Sequence, residues 1–131
     1  MAEPGAVLAS NTSSIPIMKL AIVTGNPGRV VGVHLFNPVP VMSLVEVTPS
    51  LRTSKQTLAT TSSFVTDVLG KQVVLSTDRP PSWSTHCSSP YLIPAVRILE
   101  SGVASAADIN RAMVLGCGHP LGPLGLIDLI G

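Results

Sequence analysis

Charge is scarce in this sequence. Eight basic and seven acidic residues leave a net charge of +1 and make up 11% of the 131 residues, under half the roughly 25% of an ordinary globular chain. So even a balance excludes the dense basic field on which nucleic-acid binding depends. Two cysteines, Cys87 and Cys117, are too few for a disulfide framework, which fits a reducing, cytoplasmic setting. No apolar run reaches the roughly 18 residues of a membrane span, because Lys19, Arg29 and Pro38 interrupt the candidates. The N-terminus has neither a basic nor an apolar leader region, so no signal peptide is expected. Neither C-x-x-C nor H-E-x-x-H spacing occurs, so no metal site is expected, and Cys117 reads as an inert buried thiol. A G-x-G-x-x-G fingerprint is also missing: Gly116 and Gly118 lack the third glycine and Pro120 follows them. Nothing here cradles a dinucleotide pyrophosphate in the usual way.

What is present is aliphatic. Hydrophobic residues reach 45% with aromatics at only 3%, and the mean hydropathy is +0.48. With so little charge to coat a surface, the chain either buries area against something else or is part of a larger protein. Residues 7–9 read as a strand that delivers the polar run 10–14, and residues 15–21 as a short helix. Residues 29–36 (RVVGVHLF) read as a buried parallel strand, followed by strands at 44–47 and 72–75. Between the last two lies a helix over 54–69. Ser54 caps it, Leu58, Val65, Val68 and Leu69 share a face, and Gly70 ends it. From Tyr91 onward the pattern is helical only, with a second capped helix from Ser105 and a last short one at 124–130. The expected class is α/β followed by all-α, with the two parts meeting near residue 80.

His34 stands near the C-terminal end of a strand, where open α/β sheets place their ligands. Twelve residues later comes Glu46, beyond two proline-stiffened turns that can fold its carboxylate back towards the imidazole. A carboxylate-oriented histidine is the usual general acid–base pair. A core histidine bonded to a backbone carbonyl fits the spacing equally, and alone it is the commoner case. Asn11 and Ser13 are placed to hold a substrate oxygen, or simply to make a turn or helix cap.

Several segments occur together in one order: SNTSS at 10–14, GVHLFNPVPVMSLVEV at 32–47, LGK at 69–71, PYL at 90–92 and GHPLGPLGLIDLIG at 118–131. This combination resembles the 3-hydroxyacyl-CoA dehydrogenase family, its 3-hydroxybutyryl-CoA branch included. The resemblance implies the C-terminal part of a Rossmann NAD-binding domain over residues 1–79. Over 80–131 it implies the start of a helical domain that completes the acyl-CoA cleft and carries a homodimer interface. It implies NAD as cofactor, an acyl-CoA as substrate, and oxidation of a 3-hydroxyacyl-CoA to the 3-ketoacyl-CoA in fatty-acid metabolism. Carried over position by position, His34 is the base, Glu46 orients it, Ser13 bonds the 3-oxygen, Asn37 faces the substrate and Asn11 lies beside the nicotinamide.

The sequence also departs from the family. The glycine-rich first half of the NAD-binding domain and the last helices of the helical domain are not in it, so the chain is expected to be inactive alone. A non-catalytic, pseudogene-like remnant, or a partner fragment associating with an intact subunit, is the alternative. Residues 80–89 do not match either. The family pattern Phe-Val-Val-Asn-Ala-Leu-Leu, written in codons and read one nucleotide later, yields Ser-Trp-Ser-Thr-His-Cys-Ser, the sequence of 82–88. A local frameshift, real or a sequencing error, is the expectation there. It puts Thr85 where the family has asparagine, and it predicts a late start for the next helix, with Pro94 in its first turn.

Overall fold

The computed structural model describes residue 3, residues 5–79 and residues 83–130, with the backbone alone at 83–86. Its contacts divide the chain into two compact units, Met1–Trp83 and Ser84–Gly131.

Four strands in chain order form the sheet of the first unit: β1 (Leu8–Ser10), β2 (Val30–Leu35), β3 (Leu44–Pro49) and β4 (Gln72–Leu75). β1 pairs parallel with β2 and β3 parallel with β4, whereas β2 and β3 run antiparallel. The expectation of parallel pairing for β2 therefore holds on one side only. The reason is the length of the link: residues 36–43 separate β2 from β3, and a parallel return needs a crossover of about a dozen residues or more. That link is tied down by Lys71, whose Nζ donates to the carbonyls of Val39 (2.8 Å) and Met42 (2.6 Å).

Strand alternation gives the sheet two faces. Val31, Val33 and Leu35 share one with Val45 and Val47, while Val30, Gly32 and His34 share the other with Glu46 and Thr48. Helix α2 (Lys55–Ser63) and a wide turn at Phe64–Val68 serve the first face, where Val31, Val45, Val47 and Val65 form a fully buried cluster. Ser54 caps α2 by accepting the Thr57 N–H at 3.1 Å, and Gly70 (φ 64°) ends the segment, both as predicted. The buried row, however, is Thr57, Thr61 and Val65, and Val68 and Leu69 are exposed. The wide turn explains the difference: Leu69 N–H bonds the Phe64 carbonyl five residues back. The added residue in that turn rotates the apolar positions out of line.

On the second face lies α1 (Ile17–Ala21), which packs Ile17 and Ala21 onto Val30. The contact is close enough to demand glycine at position 32. A Cβ there would lie 2.9 Å from Ile17 Cδ1 and 3.0 Å from Thr48 Cβ.

The second unit holds α3 (Trp83–Glu100), α4 (Ala106–Arg111), a wide turn at Ala112–Gly116 and α5 (Pro123–Ile130). Ala95, Ile109 and Leu124 form its core. Helix α3 does not start late: it already runs at Trp83, with Pro90 and Pro94 inside it. The two prolines stand four residues apart on one exposed stripe. An interior proline costs less on an exposed stripe, where water can reach a carbonyl that has lost its N–H partner. Residues 80–82 and the side chains of 83–86, Thr85 among them, lie outside the described residues, and with them most of the segment read as frameshifted. Ser105 caps α4 through the Asp108 N–H, and Asn110 Oδ1 accepts from the first amides of α5, Leu124 (2.9 Å) and Gly125 (3.2 Å). Cys117, expected to be buried, is exposed. It follows the wide turn, where the chain reverses at Gly118 (φ 70°) and leaves the thiol outside the core.

Candidate active site

The antiparallel register sets His34 directly opposite Glu46. Both side chains leave the same face of the sheet, and residues directly opposite have neighbouring Cβ atoms. His34 Nδ1 lies 3.9 Å from Glu46 Oε2, with side-chain exposures of 18% and 1% respectively. That separation exceeds a direct hydrogen bond but suits an ion pair once the ring carries a proton. Phe36 flanks the imidazole, with ring centres 4.7 Å apart and planes inclined by 56°. The arrangement is a partly open histidine above a wholly buried carboxylate. Burying a carboxylate so deeply is costly unless partners repay it, and the ring of His34 stands within ion-pair reach of it.

Parallel pairing of β1 with β2 brings the loop after Ser10 to the strand end that carries His34. Asn11 Oδ1 fastens it there by accepting the Leu35 N–H at 2.9 Å. Thr12 Oγ1 accepts the N–H groups of Ser14 (3.3 Å) and Ile15 (3.1 Å) and shapes the turn. Ser13 is half-buried and lines a small cavity with Thr12, Thr48, Thr77 and Asp78. The fold thus brings His34, Glu46 and Asn11 together near the end of β2, and sets Ser13 in the cavity beside Thr48. Asn37 stands apart, exposed in the turn past Phe36. Among the described residues its side chain makes no hydrogen bond to the other four.

Two residues of the first unit escape a reading of the sequence alone. Lys71 holds the 36–43 link, and Asp78 accepts the N–H groups of Ile17 (2.6 Å) and Met18 (2.7 Å). The signal for Asp78 is an absence: α1 starts at Pro16 with no capping side chain of its own. Its donors must find a partner elsewhere in the chain. In the second unit, the Tyr91 hydroxyl lies 2.9 Å from His119 Nδ1. Among the described residues no group of three metal-ligating side chains gathers, and no helix is long and apolar enough to cross a membrane.

Residues 1–79 match the family model of the 3-hydroxyacyl-CoA dehydrogenase NAD binding domain, and residues 84–131 that of the C-terminal domain. Over 129 residues the chain is 51% identical to a 3-hydroxybutyryl-CoA dehydrogenase of Mycobacterium tuberculosis, covering 98% of this chain and 45% of that protein. It is 46% identical to the mitochondrial hydroxyacyl-coenzyme A dehydrogenase of Sus scrofa, covering 95% of this chain and 40% of that protein. A similar solved structure is (S)-3-hydroxybutyryl-CoA dehydrogenase PaaH1 from Ralstonia eutropha, with a TM-score of 0.87 at 43% identity, covering 98% of this chain and 45% of that one. The chain spans less than half the length of the relatives it matches.

Proposed function

Because this chain belongs to the 3-hydroxyacyl-CoA dehydrogenase family, we propose that it carries the proton-transfer centre of an NAD-dependent 3-hydroxyacyl-CoA dehydrogenase. The observation that carries this reading is the His34–Glu46 pair, set in register and buried from below. In the direction of oxidation His34 removes the proton from the substrate's 3-hydroxyl. Glu46 orients the ring and stabilises the imidazolium that results. Ser13, held on the loop that Asn11 ties to β2, donates its hydroxyl to the same oxygen. Asn37 faces the acyl-CoA from the following turn, and Asn11 adjoins the nicotinamide edge. NAD would supply the acceptor for the hydride that leaves C3.

The residues described here do not fit the dinucleotide's pyrophosphate. The sequence has no glycine fingerprint. The first amides of α1, which elsewhere could receive a phosphate, are taken by the Asp78 carboxylate. A second reading is that these residues act as a partner fragment and turn over only when a dinucleotide seat is supplied in trans. We assign to the same proposal a homodimer contact through the helical unit and a cytoplasmic location.

The test is oxidation of NADH with acetoacetyl-CoA, run on the chain alone and with the N-terminal half of a relative added. Turnover in either mixture that falls by about 10²–10⁴-fold in His34→Gln is expected. Turnover unaffected by His34→Gln overturns the assignment of the base. Turnover confined to the second mixture establishes the partner-fragment reading.

A further inference from the structure

We propose that Asp78 is a positioning residue for Ser13: it clamps the start of α1 and thereby holds the loop that presents the serine hydroxyl. The proposal rests on the proton-transfer reading above. Helix α1 has only five residues, begins after a proline and has no cap of its own. A helix of that length does not hold itself together, since nucleation is unfavourable and one turn gains few hydrogen bonds. Something outside it must fix its start, and Asp78 does so from 60 residues away, with one carboxylate oxygen on each of two consecutive amides, Ile17 at 2.6 Å and Met18 at 2.7 Å. Both bonds are short and charge-assisted, the stronger class of hydrogen bond. They also place a negative charge at the positive end of the helix.

The geometry runs from this clamp to the serine. Ser13 lies four residues before Ile17, and both line the cavity that also holds Asp78. The intervening loop is fastened at its other end by Asn11 on Leu35, beside His34. Residues 12–16 are therefore a short bridge pinned at both ends. Asn11 ties one end to the base's strand, and Asp78 ties the other to the chain leaving β4. Underneath, Ile17 rests on Gly32, where an added Cβ would have to displace Ile17 or Thr48. Releasing the Asp78 end leaves the bridge held at one side only, by Asn11 on the strand of His34. A clamp of this kind acts on turnover through Ser13, without touching substrate.

The experiment compares Asp78→Ala and Asp78→Asn with the unaltered 131-residue chain in two readouts. The first is amide hydrogen exchange, residue by residue. Asp78→Ala is expected to speed exchange at Ile17 and Met18 by at least about tenfold. It should also speed exchange at 13–15, with the amides of β2 and β3 unchanged. Asp78→Asn, which offers one acceptor oxygen, is expected to fall between. Unchanged exchange at 13–18 in both variants overturns the proposal, as does faster exchange spread evenly over the whole first unit. The asparagine variant keeps the test decisive should the alanine variant fail to fold. The second readout is turnover with acetoacetyl-CoA, in the mixture that supports it, for Asp78→Asn, Ser13→Ala and the double variant. Positioning through Ser13 predicts that the double variant is no slower than Ser13→Ala alone, whereas independent losses that multiply overturn it. If the unaltered chain shows no His34-dependent turnover in any mixture, the proton-transfer reading falls, and the exchange measurements still decide whether Asp78 holds the loop.

Discussion

Glu46 is wholly buried beneath a histidine that keeps part of its ring open. A carboxylate has no packing reason to be there, so its role must be electrostatic. Glu46→Gln keeps the shape and removes the charge. Turnover is expected to fall by about 10²-fold or more with the circular dichroism spectrum unchanged, because the charged ring loses its counter-ion while the strand register stays. Lys71 acts at the same scale on the other side of the link. Its ammonium holds the Val39 and Met42 carbonyls. Lys71→Met should cost about 1.5–3 kcal/mol of stability, the range for a hydrogen bond to a charged group, read from urea unfolding. The place of His34 near a strand end was legible, but its pairing with Glu46 was only one of two readings. Spacing of twelve residues does not say on which face the carboxylate emerges; the antiparallel register does.

At the scale of elements, the capping signals were the most readable features. Ser54, Gly70 and Ser105 do what their residue types suggest, because a cap bonds within its own turn and needs nothing distant. Ser54→Ala is expected to lower stability by about 1 kcal/mol, measured as a shift in the urea midpoint. The wide turns at Phe64–Val68 and Ala112–Gly116 were not readable. They change which residues face inward without changing which residues favour a helix. Gly32 is the opposite case: an ordinary strand glycine in the sequence, and a contact point for α1 in the fold. Gly32→Ala forces Ile17 or Thr48 to move. It should therefore speed amide exchange in α1 while sparing α2, which lies on the other face of the sheet.

At the scale of the molecule, composition pointed to a chain with more apolar surface than it covers. Ile22, Val23, Val41, Leu51, Leu75 and Val103 are indeed exposed. No glycine fingerprint occurs among these 131 residues and a carboxylate occupies the start of α1, which leads to a further expectation for them. Calorimetric titration of the chain with NAD should show no saturable binding below about millimolar. Micromolar affinity would mean that the dinucleotide is held by other groups. The order of strands and helices, the caps and the family were all determined by the sequence alone. Each depends on residue type and on neighbours a few positions away, or on a pattern of words kept in one order. Strand direction, the burial of Glu46, the exposure of Cys117 and the clamp by Asp78 were decided only by the tertiary structure. Those features join residues 12 to 61 positions apart or turn on how a helix ends. Their energies come from burial and hydrogen bonds that exist only once the chain has closed.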